Sequence, residues 1–384
     1  MFCASLAATM VAVSLIPRAV FAAPIVPAYS SFAGTNTKLY LDFDGDNTPT
    51  YGTYTPGVTP GYSIDADTDN FSAAELTNIE KIWQSVAEKY SPFNVNVTTV
   101  DPGNQNNYET MRIVIGGSGA WLGQEAGGVA ALTAYMNPSF PNVAFVFPGH
   151  LANGNPKYVA ESAAHEAGHA FGLKHQSLYD ADKNKLQEYN PGDASKAPIM
   201  GIPYASQRAI WWRGSGPDGA TLIQDDLNSL SLFGTARPNF GYRADDHAST
   251  LAAVADPLSM DLDFNLAGYG IVERITDADF FSFITPGGHA NIVADVAPFG
   301  AMLDLSMSLY DAAGNLLTTS ATSSLGERIS YALDAGTYKL AITSAGNYGD
   351  VGQYFISGSA VPEPSSAAVV LLLFSPLFCR RRVR

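Results

Sequence analysis

The chain has 384 residues, with 36 acidic against 21 basic side chains, and its formal charge of −15 argues against nucleic acid or anionic membrane surfaces as partners. Hydrophobic residues make up 46% and glycines number 35, which describes a globular, turn-rich chain with room for two domains. Cys3 and Cys379 are the only cysteines, so disulfides and cysteine nucleophiles are excluded from everything between them.

Residues 1–23 form an apolar stretch ending Ala19-Val20-Phe21-Ala22-Ala23-Pro24, with small residues at the spacing a signal peptidase needs, and export is expected. Lys38 to Phe43 (KLYLDF) alternates as a first strand. Two acidic runs follow, Asp42, Asp44 and Asp46, then Asp65, Asp67 and Asp69 with Asn70, each with the alternating oxygens of a calcium loop. Ca2+ is therefore a candidate ligand of Asp65, Asp67 and Asp69. Solvated acidic loops and helix capping are the alternative, because Asn70 and Leu76 stand where an EF-hand needs glycine and glutamate. Ser72-Ala73-Ala74-Glu75 is a capping box that predicts a helix running to about Tyr90. Phe93, Val95 and Val97 share one face of the next strand, Arg112 to Gly116 (RIVIG) gives another, and a glycine-led apolar segment runs from Gly127 to Leu132.

The densest chemistry lies in the eleven residues from His165 to His175, H-E-A-G-H-A-F-G-L-K-H. Histidines four apart on a helix project from one face, so His165 and His169 can reach one ion, with Glu166 placed to serve that ion's water. Gly172 can take positive φ, stop the helix and let the chain swing back to offer His175. Three imidazoles and one open position describe a catalytic Zn2+ site, with Glu166 as general base.

This pattern resembles that of the metzincin metallopeptidases. The resemblance covers residues 34–240 and implies an α+β catalytic domain, a mixed twisted sheet plus the active-site helix. It also implies a methionine turn beneath the metal, which Ala197-Pro198-Ile199-Met200-Gly201 matches, so Met200 is assigned to the floor of the site. Gly127 to Leu132 is similar to the metzincin segment that leads into the edge strand. Residues 129–135, with Val129, Ala130, Ala131 and Leu132 foremost, would then bind a peptide as an added strand, and Pro203 and Tyr204 would wall the specificity pocket. The residue after the third histidine is Gln176, where matrixins, adamalysins, astacins and serralysins have Ser, Asp, Glu or Pro, so none of these four subfamilies is assigned. The position two residues after the turn methionine is Ile202, not the tyrosine of astacins and serralysins. A cysteine switch is excluded, and activity is expected once the chain has folded and acquired zinc.

After Phe240-Gly241-Tyr242 a polar linker leads to residues 248–360, whose alternation and Gly/Asp turns predict an all-β sandwich, jelly-roll-like, of about eight strands. The segment resembles the pre-peptidase C-terminal domain of secreted bacterial proteases, which implies a secretion aid or a module binding protein or polysaccharide. Asp277 and Asp279 are a further candidate calcium pair, with strand-edge solvation as the alternative. Residues 361–384 begin Val361-Pro362-Glu363-Pro364, continue through an apolar run from Ala367 to Phe378 and end in four arginines beyond Cys379. This tail looks like a PEP-CTERM sorting signal. It implies a bacterial protein, transiently membrane-anchored and released at the cell surface by an exosortase-type sorting peptidase after passage through the export machinery, with a simple membrane anchor as the alternative.

The function expected is a secreted or surface-sorted zinc endopeptidase acting on protein or peptide. A binding alternative is an extracellular matrix or adhesion protein whose zinc domain does not cut and whose sandwich binds protein or polysaccharide. A third reading is a zinc hydrolase of other bonds.

Overall fold

The computed structural model describes residues 25–65, 67–232 and 240–361, so the expected signal peptide and all but Val361 of the expected sorting tail lie outside the described residues. Strand β1 (Lys38–Asp42) leads into a hairpin of β2 (Asp46–Thr48) and β3 (Gly57–Thr59), and helix α1 (Ala73–Tyr90) follows. Next come β4 (Asn96–Thr98), β5 (Thr110–Ile115), β6 (Gly128–Val129), β7 (Val143–Val146) and helix α2 (Pro156–Ala170). Short pairs follow: β8 (Leu178–Tyr179) with β9 (Lys185–Gln187), β10 (Lys196–Pro198) with β11 (Arg208–Ile210), and β12 (Arg213–Ser215) with β13 (Ile223–Asp225). Helix α3 (Asp226–Leu232) comes last. Strand is the dominant element, and among the described residues there are three α-helices.

The first sheet has the order β4-β1-β5-β7-β6, parallel throughout except for β6, which runs antiparallel to β7 at the edge. Its two faces are covered differently. Leu39, Leu41, Met111, Ile113 and Ile115 pack under α1 and α2, through Ile79, Ile82 and Val86 of α1 and Val159, Ala160, Ala163 and Ala167 of α2. Val114, Val143 and Phe145 point to the other face, where Tyr51, Phe147 and Trp121 cover them. Helix α1 begins as its sequence predicts. The Ser72 hydroxyl accepts from the Glu75 amide and the Glu75 carboxylate returns to the Ser72 amide, closing both halves of the capping box.

Residues 256–361 form two five-stranded sheets. Their strands are β14 (Asp256–Pro257), β15 (Ser259–Met260), β16 (Asn265–Val272), β17 (Ala278–Thr285) and β18 (Gly288–Val296), then β19 (Leu305–Asp311), β20 (Leu316–Ser320), β21 (Glu327–Leu333), β22 (Gly336–Ser344) and β23 (Gly352–Val361). The orders are β14-β17-β22-β19-β20 and β15-β16-β23-β18-β21. Ten strands stand where about eight were expected, the two extra being the two-residue β14 and β15, too short for their alternation to register in sequence. The inner faces meet in a core of Leu266, Val272, Phe281, Phe283, Ile292, Leu305, Leu309, Leu340 and Tyr354.

Candidate metal centre and cleft

Helix α2 carries the first two imidazoles. Asn155 caps it by accepting from the Lys157 amide, and Pro156 occupies the first turn, where an amide has no intrahelical partner. Small alanines let the helix sit close to its neighbours, and the Tyr90 hydroxyl donates to the Ala164 carbonyl at 3.0 Å. His165 and His169 follow one turn apart, their ring centroids 4.7 Å from each other. Gly172, at φ 101°, then ends the helix, and the Leu173 amide closes back onto the Gly168 carbonyl. The returning chain brings His175 Nε2 to 3.1 Å from His169 Nε2, and ligand-capable atoms of all three histidines lie within 4.8 Å of one another.

Every Nδ1 has a partner. His165 Nδ1 donates to the Ile199 carbonyl and His169 Nδ1 to the Leu173 carbonyl, each at 2.8 Å, and His175 Nδ1 meets Glu188 Oε1 at 2.9 Å. With those protons placed, Nε2 is the atom each ring has left to offer an ion. Burial holds His165 well below the ordinary imidazole range and His169 down at about 4, so both are neutral at pH 7. Imidazole nitrogens gathered beside an open cleft suit Zn2+.

Glu166 is buried beside this group. A methyl placed on Gly128 would stand 2.7 Å from Glu166 Oε1 and 2.8 Å from the Phe145 carbonyl, so the glycine of β6 makes room for the carboxylate. Burial pushes its carboxyl up to about 8, a shift that a dication at the imidazoles would oppose. Met200 is fully buried under α2, where a methyl at Gly168 would approach its Sδ to 2.5 Å. Its neighbour Ile199 supplies the carbonyl that orients His165, so the segment around Met200 fixes the first imidazole as well as lying beneath it.

Gln176 is fully buried. Its amide NH donates to the Met200 carbonyl at 2.8 Å, and its side-chain Nε2 donates to Asp226 Oδ1 at 2.8 Å. Asp226 also accepts from the Trp212 amide and Gln224 Nε2, and burial raises its carboxyl to about 7. A neutral amide thus joins the segment that carries His175 to α3.

An open cleft of about 730 Å³ runs past the imidazoles and Glu166, lined by Val129, Ala130, Leu132, Tyr189, Ile202 and Tyr204 among others. Ala131 and Pro203 are not in its lining. The expected strand over residues 129–135 is cut short, because β6 ends at Val129. Beyond it the Ala131 amide donates to the Tyr51 hydroxyl at 2.7 Å and the Thr133 amide to the His169 carbonyl at 2.9 Å, so neither is free to pair with a peptide. Pro203 is buried in a 3-10 turn (Pro203–Ala205). Tyr204 stacks on Tyr158 with centroids 4.5 Å apart, and burial raises its hydroxyl to about 12.

The acidic run before α1 does not converge on an ion. Asp65 Oδ1 accepts from the Asp67 amide, and Asp67 Oδ1 accepts from the amides of Asp69 and Asn70, so these side chains are spent on successive turns. Asp42 and Asp46 instead flank Arg112, at 3.5 and 2.5 Å. Two acidic groups do converge, Asp245 with Glu273 and Asp277, and Asp245 with Asp246 and Asp279. Glu273 and Asp279 are fully buried there, and both oxygens of Glu273 and Oδ1 of Asp279 lack a hydrogen-bond partner.

No protein-family model and no curated protein matches the chain. Among solved structures, part of it is similar to the pre-peptidase C-terminal domain of a collagenase from Bacillus anthracis, at 13% identity, 29% of this chain, 99% of that one and a TM-score of 0.24. It is also similar to PliG, a periplasmic inhibitor of g-type lysozyme from Aeromonas hydrophila, at 9% identity, 28% of this chain, 95% of that one and a TM-score of 0.23.

Sequence reasoning missed Glu188, Tyr189 and Asp226. Tyr189 lies with its ring centroid 4.2 Å from that of His175 and 6.0 Å from that of His165. An acid and a tyrosine between the third histidine and the turn methionine carry no spacing signal, and Asp226 lies fifty residues beyond Gln176.

Proposed function

We propose that the chain is a zinc-dependent endopeptidase of metzincin type, exported to a bacterial cell surface. The observation that carries this reading is the gathering of three imidazoles, each with its Nδ1 already committed, beside a buried glutamate in an open cleft. His165, His169 and His175 would hold the ion, which when bound supplies a Lewis acid for water and for the scissile carbonyl. Glu166 accepts the proton of the attacking water and returns it to the leaving amine. The short edge strand β6 offers a place for a peptide backbone, with Leu132, Ile202 and Tyr204 receiving apolar side chains along the cleft. The N- and C-terminal segments support export and sorting on their sequence alone.

Calcium belongs to this reading as a structural ion. Its place is the group of Asp245, Asp246, Glu273, Asp277 and Asp279, because buried carboxylate oxygens without donors are costly unless a cation satisfies them.

The test is digestion of a denatured protein mixture by the full chain with and without a zinc chelator. Chelator-sensitive cutting restored by zinc is expected, and Glu166→Gln is expected to lose several orders of magnitude in turnover while keeping one zinc per chain. A folded, zinc-loaded chain that cuts nothing, with Glu166→Gln indistinguishable from it in every binding assay, would favour the adhesion alternative.

A further inference from the structure

The three imidazoles are not held alike. His165 and His169 stand on a buried helix and give their Nδ1 protons to backbone carbonyls, which the fold fixes. His175 stands beyond the helix end and meets a side chain, Glu188 Oε1, at 2.9 Å. The other oxygen of that carboxylate, Oε2, accepts from Lys185 Nζ at 2.7 Å, three residues earlier on β9. The residue after Glu188 then lays its ring against the same imidazole, since the Tyr189 and His175 centroids are 4.2 Å apart with planes at 45°. One dipeptide touches both the edge and the face of the third histidine.

We infer that Glu188 and Tyr189 form a clamp that positions His175 for metal binding, with Lys185 steadying the carboxylate. The inference rests on the metal centre proposed above. Glu188 and Lys185 are positioning residues, since neither reaches the cleft centre, and their effect passes through the imidazole. The backbone supports the arrangement, because the Ser177 hydroxyl donates to the Glu188 carbonyl at 2.7 Å and the Asn190 amide to the Gln176 carbonyl at 2.7 Å. Those bonds tie the returning segment directly to the one that carries His175. A carboxylate on the remote nitrogen of a ligating imidazole fixes the tautomer, halts ring rotation and raises the basicity of Nε2. The clamp therefore makes the third ligand depend on the β8–β9 hairpin, whose second strand is exposed, whereas the other two depend on the core.

The test is zinc affinity of the full chain, measured by competition with a chromophoric chelator, together with the visible absorption of the Co2+-loaded protein. Glu188→Ala is expected to weaken zinc binding by roughly 10- to 100-fold and to alter the Co2+ spectrum. Glu188→Gln, which keeps an acceptor without the charge, should lose less, and Tyr189→Phe should bind as the unaltered chain does because the ring and not the hydroxyl makes the contact. Unaltered affinity and spectrum in Glu188→Ala, with binding still abolished by His169→Ala, overturns the clamp alone. Zinc binding indifferent to His169→Ala overturns both the clamp and the centre it serves. Thermal unfolding of the metal-free forms separates positioning from a folding defect. If the alanine variant folds poorly the glutamine variant decides, full affinity there counting against the clamp.

Discussion

A single missing side chain lets the candidate general base stand where it does. Gly128 faces Glu166 from the edge strand, and an added methyl would meet Glu166 Oε1 at 2.7 Å, its Cγ at 2.8 Å and the Phe145 carbonyl of the neighbouring strand at 2.8 Å. The carboxylate could give way, but the carbonyl belongs to the β6–β7 ladder and cannot move without the strand. Gly128→Ala should therefore cost about 1–3 kcal/mol in stability through overpacking. It should also shift Glu166, and a displacement near 1 Å in a catalytic group costs roughly a hundredfold in rate. Zinc content should stay at one per chain, since the atoms nearest an added methyl belong to Glu166 and Phe145 and not to an imidazole. Turnover measured beside zinc stoichiometry checks this, and an alanine variant as active as the unaltered chain would mean that Glu166 works from elsewhere.

At the scale of elements, the turn between β16 and β17 gathers carboxyl groups, some of them buried without hydrogen-bond partners. Burial, then neighbouring carboxylates, raise Glu273 to about 10 and Asp279 to about 8, and the nearest cation to Glu273 is Arg243 at 3.8 Å. Carboxyls with raised folded values stabilise the fold while protonated. Their contribution is complete below the ordinary carboxylate range near 4 and is lost as pH rises through about 8 for Asp279. The chain stripped of calcium and resupplied with zinc should thus unfold at progressively lower temperature from pH 5 to pH 9. Added Ca2+ should restore a few degrees at the alkaline end, about 2.7 kcal/mol at a hundred times Kd, and little at pH 5. Asp279→Asn should flatten both responses, and a calcium effect equal at the two pH values would remove the ion from this turn. Elements whose cause is local were legible in the sequence. The capping box of Ser72 and Glu75 and the spacing of the three histidines depend on residues within a turn or two. Residues 129–135 misled because what stops β6 comes from Tyr51, eighty positions away, and from the carbonyl of His169. The acidic cluster at this turn was half legible, since Asp277 and Asp279 are near in sequence while Asp245 and Asp246 reach it only through the fold.

At the scale of the molecule the sandwich is bolted to the first domain through charges that neither could bury alone. Glu88, at the end of α1, is fully buried and accepts from the amides of Met302 and Gln353 and from Gln353 Nε2, all at 3.1 Å. Arg208, beside the methionine turn on β11, donates to the Met302 carbonyl at 2.8 Å and to Asp350, which is fully buried, at 2.9 Å. Lys89 reaches both the Gly300 carbonyl and Glu161, four residues before His165 on α2, at 3.2 and 3.3 Å. Met302 and Val351 of the sandwich belong to the same apolar core as the sheet and both long helices. A chain ending near residue 247 would leave Glu88 and Arg208 without these partners and Lys89 with Glu161 alone. Breaking one such pair costs about 3–5 kcal/mol, because the survivor is an uncompensated buried charge. Arg208→Ala is therefore expected to lower the unfolding temperature of the whole chain while leaving one transition in calorimetry. The truncated chain should give no cooperative transition at all. Two well-separated transitions in the intact chain, or a truncated form that unfolds sharply and still binds zinc, would show that the sandwich is a passenger. The expected outcome makes it a structural wall of the domain that carries the candidate metal centre.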